Sequence, residues 1–310
     1  MSKLKKSIVA AVALLVVICV VFVAALPVIS NNQHKKISSE HPPAQVVDFE
    51  EKAEGSIRVM SFNLRYGSLG IITRSSRNDE VLETIKKGKP DSFGVQEATP
   101  TWIRYLSKQL KDEYDYVGVG RADGNNSGEY SAIFYQKAKY EVYESDTFWL
   151  SETPDEPSVG WDASTNRICT WAMLENKETG AMYVHMNAHF DHIGEEAQKN
   201  SVEMILSTAE EFNFLPVVFT ADMNIKEGSE NYNKMAESDI LWDTKYIAPE
   251  TMDYLTFHDM NPSENEGRIL DYVFINNLFG VTTYRVVTAG IDGKFVSDHY
   301  PVYADIVIRK

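Results

Sequence analysis

Ten short stretches between residues 57 and 310 have the composition of β-strands, and they constrain the fold more than any other feature. Each is rich in β-branched, aromatic or other apolar residues and is bounded by turn-forming residues. The stretches are IRVMSFNL, DSFGVQE, YDYVGVG, YSAIFYQ, YEVYESDTFWL, ICTWAMLE, AMYVHMNAHF, LPVVFTADMN, RILDYVFI and PVYADIVI. So many strands predict a domain built mainly from β-sheet.

Three other stretches have the spacing of helices. NDEVLETIKKG starts at a candidate N-cap, Asn78, and stops at Gly88, shortly before a proline. TPTWIRYLSKQL opens with Thr-Pro, and KNSVEMILSTAEEF places its apolar residues three or four positions apart. No internal repeat and no second linker interrupts residues 56–310. This pattern predicts a single domain of mixed α and β structure.

The N-terminus is predicted to lie outside that domain. Residues 7–30 contain no charged side chain and follow Lys3, Lys5 and Lys6. About 20 apolar residues span a bilayer, and the positive-inside rule then leaves the N-terminus in the cytoplasm. We expect residues 1–30 to form one transmembrane anchor, residues 31–55 a linker, and the domain to be extracytoplasmic. A cleaved signal peptide, which would make the protein secreted, is the alternative.

The composition limits the partners of the domain. The net charge is −15, and none of the acidic residues falls within the first 30. Strong nonspecific binding of nucleic acid requires many basic side chains against phosphates, so the composition argues against it. Of the two cysteines, Cys19 lies in the apolar segment, which leaves Cys169 without a disulfide partner in the domain. We expect the domain to be monomeric.

Polar residues end or precede the strand-like stretches at five places. A single Asp or Asn at a strand end is usually a turn former or a helix cap, but five such places call for another explanation. The residues are Asn63, Glu97, Asp222 with Asn224, Asp271, and Asp298 with His299. Carboxylate and amide oxygens suit hard cations such as Mg²⁺, Mn²⁺ or Ca²⁺. The pattern therefore indicates a metal site where strand ends converge.

Two other kinds of metal site fit the sequence poorly. His185 and His189 lie four residues apart on one predicted strand, roughly 13 Å in an extended chain, which is too far to share a zinc ion. Although His192 lies nearer to His189, we disfavour zinc. The loop RADGNNSGEY alternates like a calcium loop from Asp123, but its twelfth position is Phe134, where a bidentate Glu is required.

Six motifs, in order, resemble the endonuclease/exonuclease/phosphatase superfamily, whose fold is that of deoxyribonuclease I. They are SFNLRYG, GVQEA, NAHFDH, TADMN, LDYVF and SDHYPV, and they span nearly all of residues 57–310. The stretches DTFWLSETP, GWDA and RICTWA resemble a bacterial subgroup of exported or membrane-anchored members. The resemblance implies an α+β fold, a four-layer α/β/β/α sandwich, with the site at one end.

The resemblance also implies a role for each polar strand end. Glu97 would be the main Mg²⁺ ligand, with Asn63 and Asp298 beside the ion; Mn²⁺ is an alternative. Asp222 and Asn224 match an Asp-x-Asn motif that positions or activates the attacking water. An in-line attack on phosphate builds negative charge, which a metal ion and imidazolium groups stabilise.

Three more residues complete the implied catalytic set. His299 would contact the scissile phosphate, and Asp271 would orient His299 and favour its protonated form. His189 would stabilise the phosphorane or assist the leaving group. Whether Asp222 or His299 takes the proton of the water stays open at this stage.

Substrate contacts are less well marked. Arg65 and Arg167 are candidates for binding a phosphate, although a structural ion pair explains each equally well. Trp161 and His258 are candidates for lining a substrate pocket. The superfamily usually has glycine where this chain has Ala221, and a requirement for positive φ there would distort the site. We expect the chemistry to be intact.

These observations predict a metal-dependent hydrolase of phosphate esters, a phosphodiesterase or phosphatase acting by direct attack of water. The acidic composition favours a phosphorylated small molecule, a sugar phosphate or a lipid headgroup as the substrate. An extracytoplasmic endonuclease or exonuclease is the first alternative. A non-catalytic binding ectodomain on the same fold is the second, and the complete set of polar residues argues against it.

Overall fold

The computed structural model describes residues 47–66, 74–260, 268–291 and 295–309, without the side chains of residues 74–76. The predicted transmembrane segment, residues 7–30, and most of the predicted linker lie outside these ranges. Within them, no helix combines the length and the apolar character needed to cross a membrane. The end of the predicted linker contacts the domain, since the ring of Phe49 stacks on that of Tyr303.

Two six-stranded sheets form the centre of the described region. The strands are β1 Ile57–Asn63, β2 Ser92–Gln96, β3 Tyr114–Val117, β4 Ile133–Gln136, β5 Tyr140–Trp149, β6 Ile168–Asn176, β7 Met182–His189, β8 Val217–Asp222, β9 Trp242–Asp243, β10 Asp271–Ile275, β11 Phe279–Val286 and β12 Val302–Ile308. The first sheet has the order β11-β12-β1-β2-β4-β3 and the second β5-β6-β7-β8-β10-β9. All ten predicted strands are present. The two that the sequence did not reveal are β9, which is very short, and β11, a half-exposed edge strand.

Five helices accompany the sheets among the described residues. They are α1 Arg74–Gly88, α2 Pro100–Gln109, α3 Glu195–Glu211, α4 Glu230–Ala236 and α5 Thr244–Ile247. The Thr-Pro start of α2 is confirmed, because the Thr99 side chain caps the helix by accepting from Trp102 N. The predicted N-cap at Asn78 is wrong, since α1 already begins at Arg74. The first turns of α1 are tied to β1 by Arg77, whose Nη1 donates to the carbonyl of Leu64 at 2.6 Å.

Three hydrophobic cores separate four layers. One core joins α1 and α2 to the outer face of β1 and β2, for example through Ile85 and Leu106 against Phe93. Another joins α3 and α4 to the outer face of β7 and β8, where Ile205 contacts the same cluster as Phe219. The third lies between the sheets. The predicted sandwich of two sheets with outer helices is therefore confirmed for the described region.

The strand register brings the polar strand ends together. β1 and β2 are parallel, with Asn63 opposite Gln96, so both strands finish at one end of the first sheet. β7 and β8 are also parallel, with His189 opposite Asp222, and antiparallel β10 starts beside them with Asp271 opposite Asp222. Because β1 and β2 face β7, β8 and β10 across the sandwich, these strand ends converge at one end.

Below that end, the interior between the sheets is polar. Asn187 Oδ1 accepts from Gln96 Nε2 at 2.7 Å and from Thr220 Oγ1 at 2.9 Å, and its Nδ2 donates to two backbone carbonyls of the first sheet. Gly94 leaves room for this side chain, because a Cβ at position 94 would lie 2.2 Å from Asn187 Oδ1. Buried networks in which most polar atoms are hydrogen-bonded, as those of Asn187 are, favour one arrangement of the strands that carry them.

His185 belongs to the same polar interior. Its Nδ1 lies 2.9 Å from Ser92 Oγ and its Nε2 lies 2.9 Å from Thr220 Oγ1, so both ring nitrogens are hydrogen-bonded. Complete burial lowers the pKa of His185 to about 3.

Burial of neutral His185 should make stability depend on pH. In the unfolded chain the imidazole takes up a proton below about pH 6.5, whereas in the folded chain it does so only near pH 3. The stability is therefore fully present above about pH 6.5 and is lost as the pH falls toward 3. Between pH 7 and pH 5 we expect the wild type to lose about 2 kcal/mol more of its free energy of unfolding than His185→Gln does. Urea denaturation at both pH values measures this, and parallel losses would contradict it.

Candidate active site

One buried amide joins the carboxylates of the two sheets. Asn63, the last residue of β1, donates from Nδ2 to Asp222 Oδ2 at 2.7 Å and to Glu97 Oε1 at 3.1 Å. Glu97 follows β2 in the first sheet, and Asp222 ends β8 in the second. The Oδ1 of Asn63 accepts from the backbone N of Arg65 at 2.8 Å. The amide is thus fully engaged, and it keeps two carboxylates close together.

Four of the predicted site residues have left-handed backbone, and one of them, Trp161, has a φ of 48°. Glu97 has a φ of 55°, Asn224 a φ of 50° and Arg65 a φ of 59°. Glu97 and Asn224 were predicted to continue their strands, but β2 ends at Gln96 and β8 at Asp222. Non-glycine residues rarely adopt this conformation, which costs of order 1–3 kcal/mol and concentrates at functional sites. A turn, rather than strand alternation, therefore brings these side chains into the site.

His189 and Asn224 form the first arm of the site around Asp222. Asn224 Nδ2 donates to the carbonyl of Phe190 at 3.1 Å and lies 3.0 Å from His189 Nε2. Because the carbonyl fixes the orientation of the amide, Nε2 of His189 accepts and the ring proton lies on Nδ1. Burial, and then the guanidinium groups of Arg167 and Arg121, hold the pKa of His189 well below its usual value. His189 is therefore neutral, which differs from the expected imidazolium.

His299 and Asp271 form the second arm. His299 Nδ1 lies 2.8 Å from Asp271 Oδ2, and its Nε2 points toward Asp222, with Oδ2 3.8 Å away. Burial alone would lower the pKa of His299, but the carboxylates of Asp271 and Asp222 outweigh it and raise that pKa to about 10. Burial also raises the pKa of Asp222 above its usual value, against the opposing effect of His299. His299 is therefore a cation beside a carboxylate of increased basicity.

The donor set of this cluster suits a hard divalent cation. Glu97, His189 and Asp222 each offer a ligand atom, and these atoms lie within 4.8 Å of one another. Two carboxylates with one imidazole favour Mg²⁺ or Mn²⁺ over the thiolate-rich or histidine-rich sites of softer metals. Asp222 also belongs to a second such group, with Asp271 and His299. The residues present therefore fit a divalent ion held by Glu97 and Asp222.

Asp298 and Arg65 lie beside the cluster as an ion pair. Arg65 Nε is 3.3 Å from Asp298 Oδ2, and both side chains are partly exposed. Ser297 connects this segment to β1 by donating from Oγ to the carbonyl of Asn63 at 2.8 Å. Asp298 is not a member of the groups of converging ligand atoms found among the described residues. The structure thus gives Arg65 an ion-pair partner at the rim of the site.

Arg167 and Trp161 occupy the loops next to His189. Arg167 Nε donates to Asp191 Oδ2 at 3.2 Å, and its Nη2 lies 3.0 Å from Nδ1 of the exposed His192. The backbone N of Trp161 donates to the carboxylate of Glu152. Arg167 is therefore a structural ion-pair partner whose charge also acts on His189. Within the described part of the chain, the hydrogen bonds of the Trp161 backbone N go to Glu152 and not to the carboxylate cluster.

The burial of His258 and the backbone conformation of Ala221 can be compared with what was expected of these residues. His258 is fully buried among the rings of Phe295 and Tyr300, so it does not line an open pocket as predicted. Its backbone N donates to the carbonyl of Asp298, which supports the turn before His299. Ala221 lies within β8 and is not among the residues of positive φ. The backbone conformation therefore does not require a glycine at that position.

Glu129 and Arg121 are site neighbours that the sequence analysis did not single out. Glu129 Oε2 lies 3.8 Å from His189 Nδ1, and its Oε1 lies 3.0 Å from Arg121 Nη2. Both residues belong to the loop that was considered and rejected as a calcium site. In the sequence, Arg121 and Glu129 are simply two residues of opposite charge on either side of a stretch that contains Gly124 and Gly128. Such pairs are common in solvent-exposed turns, so they gave no signal of a site.

A two-sheet sandwich with carboxylates and imidazoles converging at one end defines the class of phosphoesterases and nucleases that attack phosphorus with water. The chain belongs to the Endonuclease/Exonuclease/phosphatase family, whose model matches residues 60–299. The resemblance drawn from the six sequence motifs is thereby confirmed. Members of this family are hydrolases of phosphate esters.

Solved structures of similar proteins agree with this assignment. A mannosyl-6-phosphatase of Bacteroides thetaiotaomicron is 33% identical, with 82% of this chain and 100% of that chain covered and a TM-score of 0.76. An endonuclease/exonuclease/phosphatase family protein of the same species is 32% identical, with 82% and 98% covered and a TM-score of 0.75. An uncharacterised mimivirus protein, L388, is 22% identical over 244 residues, which are 73% of this chain and 90% of that protein.

Divalent-ion binding should depend on Glu97. We expect Glu97→Gln to weaken Mg²⁺ or Mn²⁺ binding at least about tenfold, because the amide removes a charged oxygen ligand from the cluster. Isothermal titration calorimetry of the purified protein measures the affinity. Glu178→Gln is the matched control, since Glu178 is exposed at the turn between β6 and β7, at the opposite end of the sandwich. Equal weakening in both variants would argue against the assigned site.

Proposed function

We propose that this chain is a phosphoesterase that depends on Mg²⁺, or on Mn²⁺, and acts outside the cytoplasm on a small, sugar-linked or lipid-linked phosphate. The observation that carries the proposal is that Asp222 lies between two histidines, one cationic and one neutral. Cationic His299 has its Nε2 3.8 Å from Asp222 Oδ2, and neutral His189 has its Nε2 3.6 Å from the same oxygen, so His299 would be available to stabilise negative charge on a phosphate bound there. Few purely structural needs would place two carboxylates and two imidazoles in contact.

The pKa shifts of His299 and Asp222 support different roles for these two residues in the attack of water. Asp271 holds His299 protonated, so His299 is suited to stabilising the phosphate and not to accepting a proton. Asp222 has a raised pKa, and its Oδ1 accepts from the backbone N of Asn224 at 3.0 Å. We therefore assign proton acceptance to Asp222, with Asn224 orienting it. A divalent ion held by Glu97 and Asp222 would supply charge neutralisation at the phosphate when bound.

The substrate class is supported by charge and by similarity. The chain carries a net charge of −15, which disfavours a long polyanion, whereas a small phosphate needs only local positive charge. The solved mannosyl-6-phosphatase is 33% identical to this chain. A phosphorylated sugar is therefore the first substrate to test. Arg65 and Arg167 are proposed to contribute positive charge near the phosphate, and Trp161 to contact the rest of the substrate.

An assay panel tests the proposed activity. The purified protein is offered mannose 6-phosphate, a phosphodiester, sphingomyelin and plasmid DNA, each with Mg²⁺, Mn²⁺ or EDTA. We expect turnover of the sugar phosphate that EDTA abolishes. Metal-dependent cleavage of plasmid DNA alone would favour the nuclease alternative. Inactivity on every substrate would favour a binding ectodomain.

Asp271→Asn connects that activity to the site. The substitution removes the charge that keeps His299 protonated, and we expect kcat to fall by about 10- to 100-fold. The matched control is Asp115→Asn, because Asp115 is exposed on β3 and far along the first sheet from β1. Equal activity in wild type and Asp271→Asn would contradict the catalytic role assigned to His299 and Asp271.

The extracytoplasmic location is proposed from residues 1–30, with residues 31–55 as a linker to the domain at 56–310. The uncharged residues 7–30 follow three lysines, which supports an anchor with a cytoplasmic N-terminus. Fractionation of cells that express the chain tests this proposal. We expect the intact protein in the membrane fraction, accessible to protease from outside. Recovery of a shortened soluble protein would instead indicate a cleaved signal peptide.

A further inference from the structure

A cleft outside the catalytic cluster opens between the edge strands β3 and β5, and none of the proposed catalytic residues lines it. Its volume is about 440 Å³, within the range of about 300–1,000 Å³ that is typical of small-molecule sites. Trp149, which is the last residue of β5 and lines the cleft, pairs with Ile168 of β6. The next residue of β6, Cys169, pairs with Ala188, which precedes His189. The cleft therefore lies at the side of the active-site end of the sandwich.

The loop between β3 and β4 is the wall that this cleft shares with the active site. On its inner side, the guanidinium of Arg121 is 3.0 Å from Glu129, which lies beside His189. On its outer side, the backbone carbonyl of Arg121 accepts from Trp149 Nε1 at 2.8 Å. Gly124 packs on the same indole, since a Cβ there would lie 3.0 Å from Cη2 of Trp149. A substrate that extends from the phosphate past His189 would therefore cross one loop to reach the cleft.

The cleft has a polar lining without positive charge. The Oγ1 of half-buried Thr147 lies 3.0 Å from the Oγ1 of buried Thr170, which holds the Thr147 hydroxyl in place. The exposed residues Asp146 and Asp155 add carboxylates to the lining. None of the described residues that line the cleft is Lys, Arg or His, so an anionic group would find no counter-charge there.

Hydroxyl groups fit this lining better than a metal ion does. Asp146 and Asp155 are absent from the groups of converging metal-ligand atoms found in the described part of the chain. A hydroxyl can donate to a carboxylate and can also exchange a hydrogen bond with another hydroxyl. Trp149 and Pro157 add an apolar wall, and small-molecule sites combine such walls with a few polar groups that fix orientation. A sugar ring, with hydroxyls at its edge and C–H groups on its faces, matches both parts of the lining.

We propose that this cleft binds a neutral sugar unit of a glycan whose phosphorylated unit occupies the active site. Thr147 and the carboxylates of Asp146 and Asp155 hydrogen-bond the hydroxyls of that sugar. The inference rests on the proposed function, because the glycan reaches both places only if its phosphate is the reacting group. Binding at a second place on one ligand raises the affinity of the whole without changing the chemistry. The substrate is then a phosphorylated oligosaccharide and not only a free sugar phosphate.

Two substrates that differ only in length test the proposal kinetically. The purified full chain is offered mannose 6-phosphate, and mannotriose that carries the same phosphate on its non-reducing end. We expect the wild type to show a KM about tenfold lower for the trisaccharide at a similar kcat, because the added contact binds ground state and transition state equally. In Asp155→Ala and in Thr147→Val, the KM for the trisaccharide should rise toward that for mannose 6-phosphate.

Glu141→Ala is the matched control for these variants. Glu141 is also an exposed acidic residue of β5, but it pairs with Glu175 at the end of the sandwich opposite the active site. We expect Glu141→Ala to keep the preference of the wild type for the trisaccharide. Equal KM values for the two substrates in the wild type would overturn the proposal. So would a trisaccharide KM that stays at the wild-type value in both Asp155→Ala and Thr147→Val.

A binding measurement separates the sugar site from the proposed function. Saturation-transfer NMR of the full chain with unphosphorylated mannotriose requires no catalysis. We expect transfer to the sugar in the wild type and in Glu141→Ala, and its loss in Asp155→Ala. No transfer in the wild type, or equal transfer in wild type and Asp155→Ala, would overturn the proposal. A wild type that hydrolyses neither phosphate would refute the proposed function, and the binding of mannotriose alone would then decide whether the cleft is a sugar site.

Discussion

The active-site end depends on the buried amide of Asn63, which donates to carboxylates from both sheets. Asp222 and Glu97 would repel one another in a buried site, and two N–H donors offset only part of that repulsion. The parallel pairing of β1 with β2 and of β7 with β8 brings these residues to the same end, so the fold itself enforces the proximity. A site in which carboxylates are held together by neutral donors has a deficit of positive charge. A divalent cation and the imidazolium of His299 are suited to supply it.

The two histidines differ in charge because their neighbours differ, although both lie against Asp222. His299 Nδ1 is hydrogen-bonded to the Asp271 carboxylate at 2.8 Å, and this contact together with Asp222 stabilises its cation in spite of burial. The carboxylates near His189 are no closer than 3.6 Å, and burial, followed by Arg167 and Arg121, opposes a positive charge there. Environments that separate the protonation states of like groups are typical of acid–base sites. The sandwich thus produces one electrostatic stabiliser and one neutral ligand or hydrogen-bonding ring from two chemically identical side chains.

Much of the fold and part of the site could be predicted from the sequence, because strand periodicity and short motifs are local signals. The strands that carry Asn63 and Asp222 were found by their apolar runs. The placement of Glu97 could not be derived in that way, since a φ of 55° ends the alternation on which the argument relied. Glu129 was missed because its partner, His189, is distant in the sequence and the loop between β3 and β4 has no periodicity. Contacts made through left-handed turns and loops are set by tertiary structure, which local patterns do not encode.

The strongly acidic composition and a site for anionic substrates are compatible, because net charge and local charge act over different distances. Fields from exposed carboxylates are screened within about 8–10 Å at physiological salt, so they oppose a long polyanion more than a single phosphate. Around Asp222 the balance is different: His299 is cationic, and the guanidinium groups of Arg121 and Arg167 are close enough to depress the pKa of His189. Each arginine is tied to an acidic partner, Glu129 or Asp191, which fixes its position without removing its field. Some positive charge is thus fixed near Asp222 in an otherwise acidic protein, which is compatible with the small phosphate proposed as the substrate.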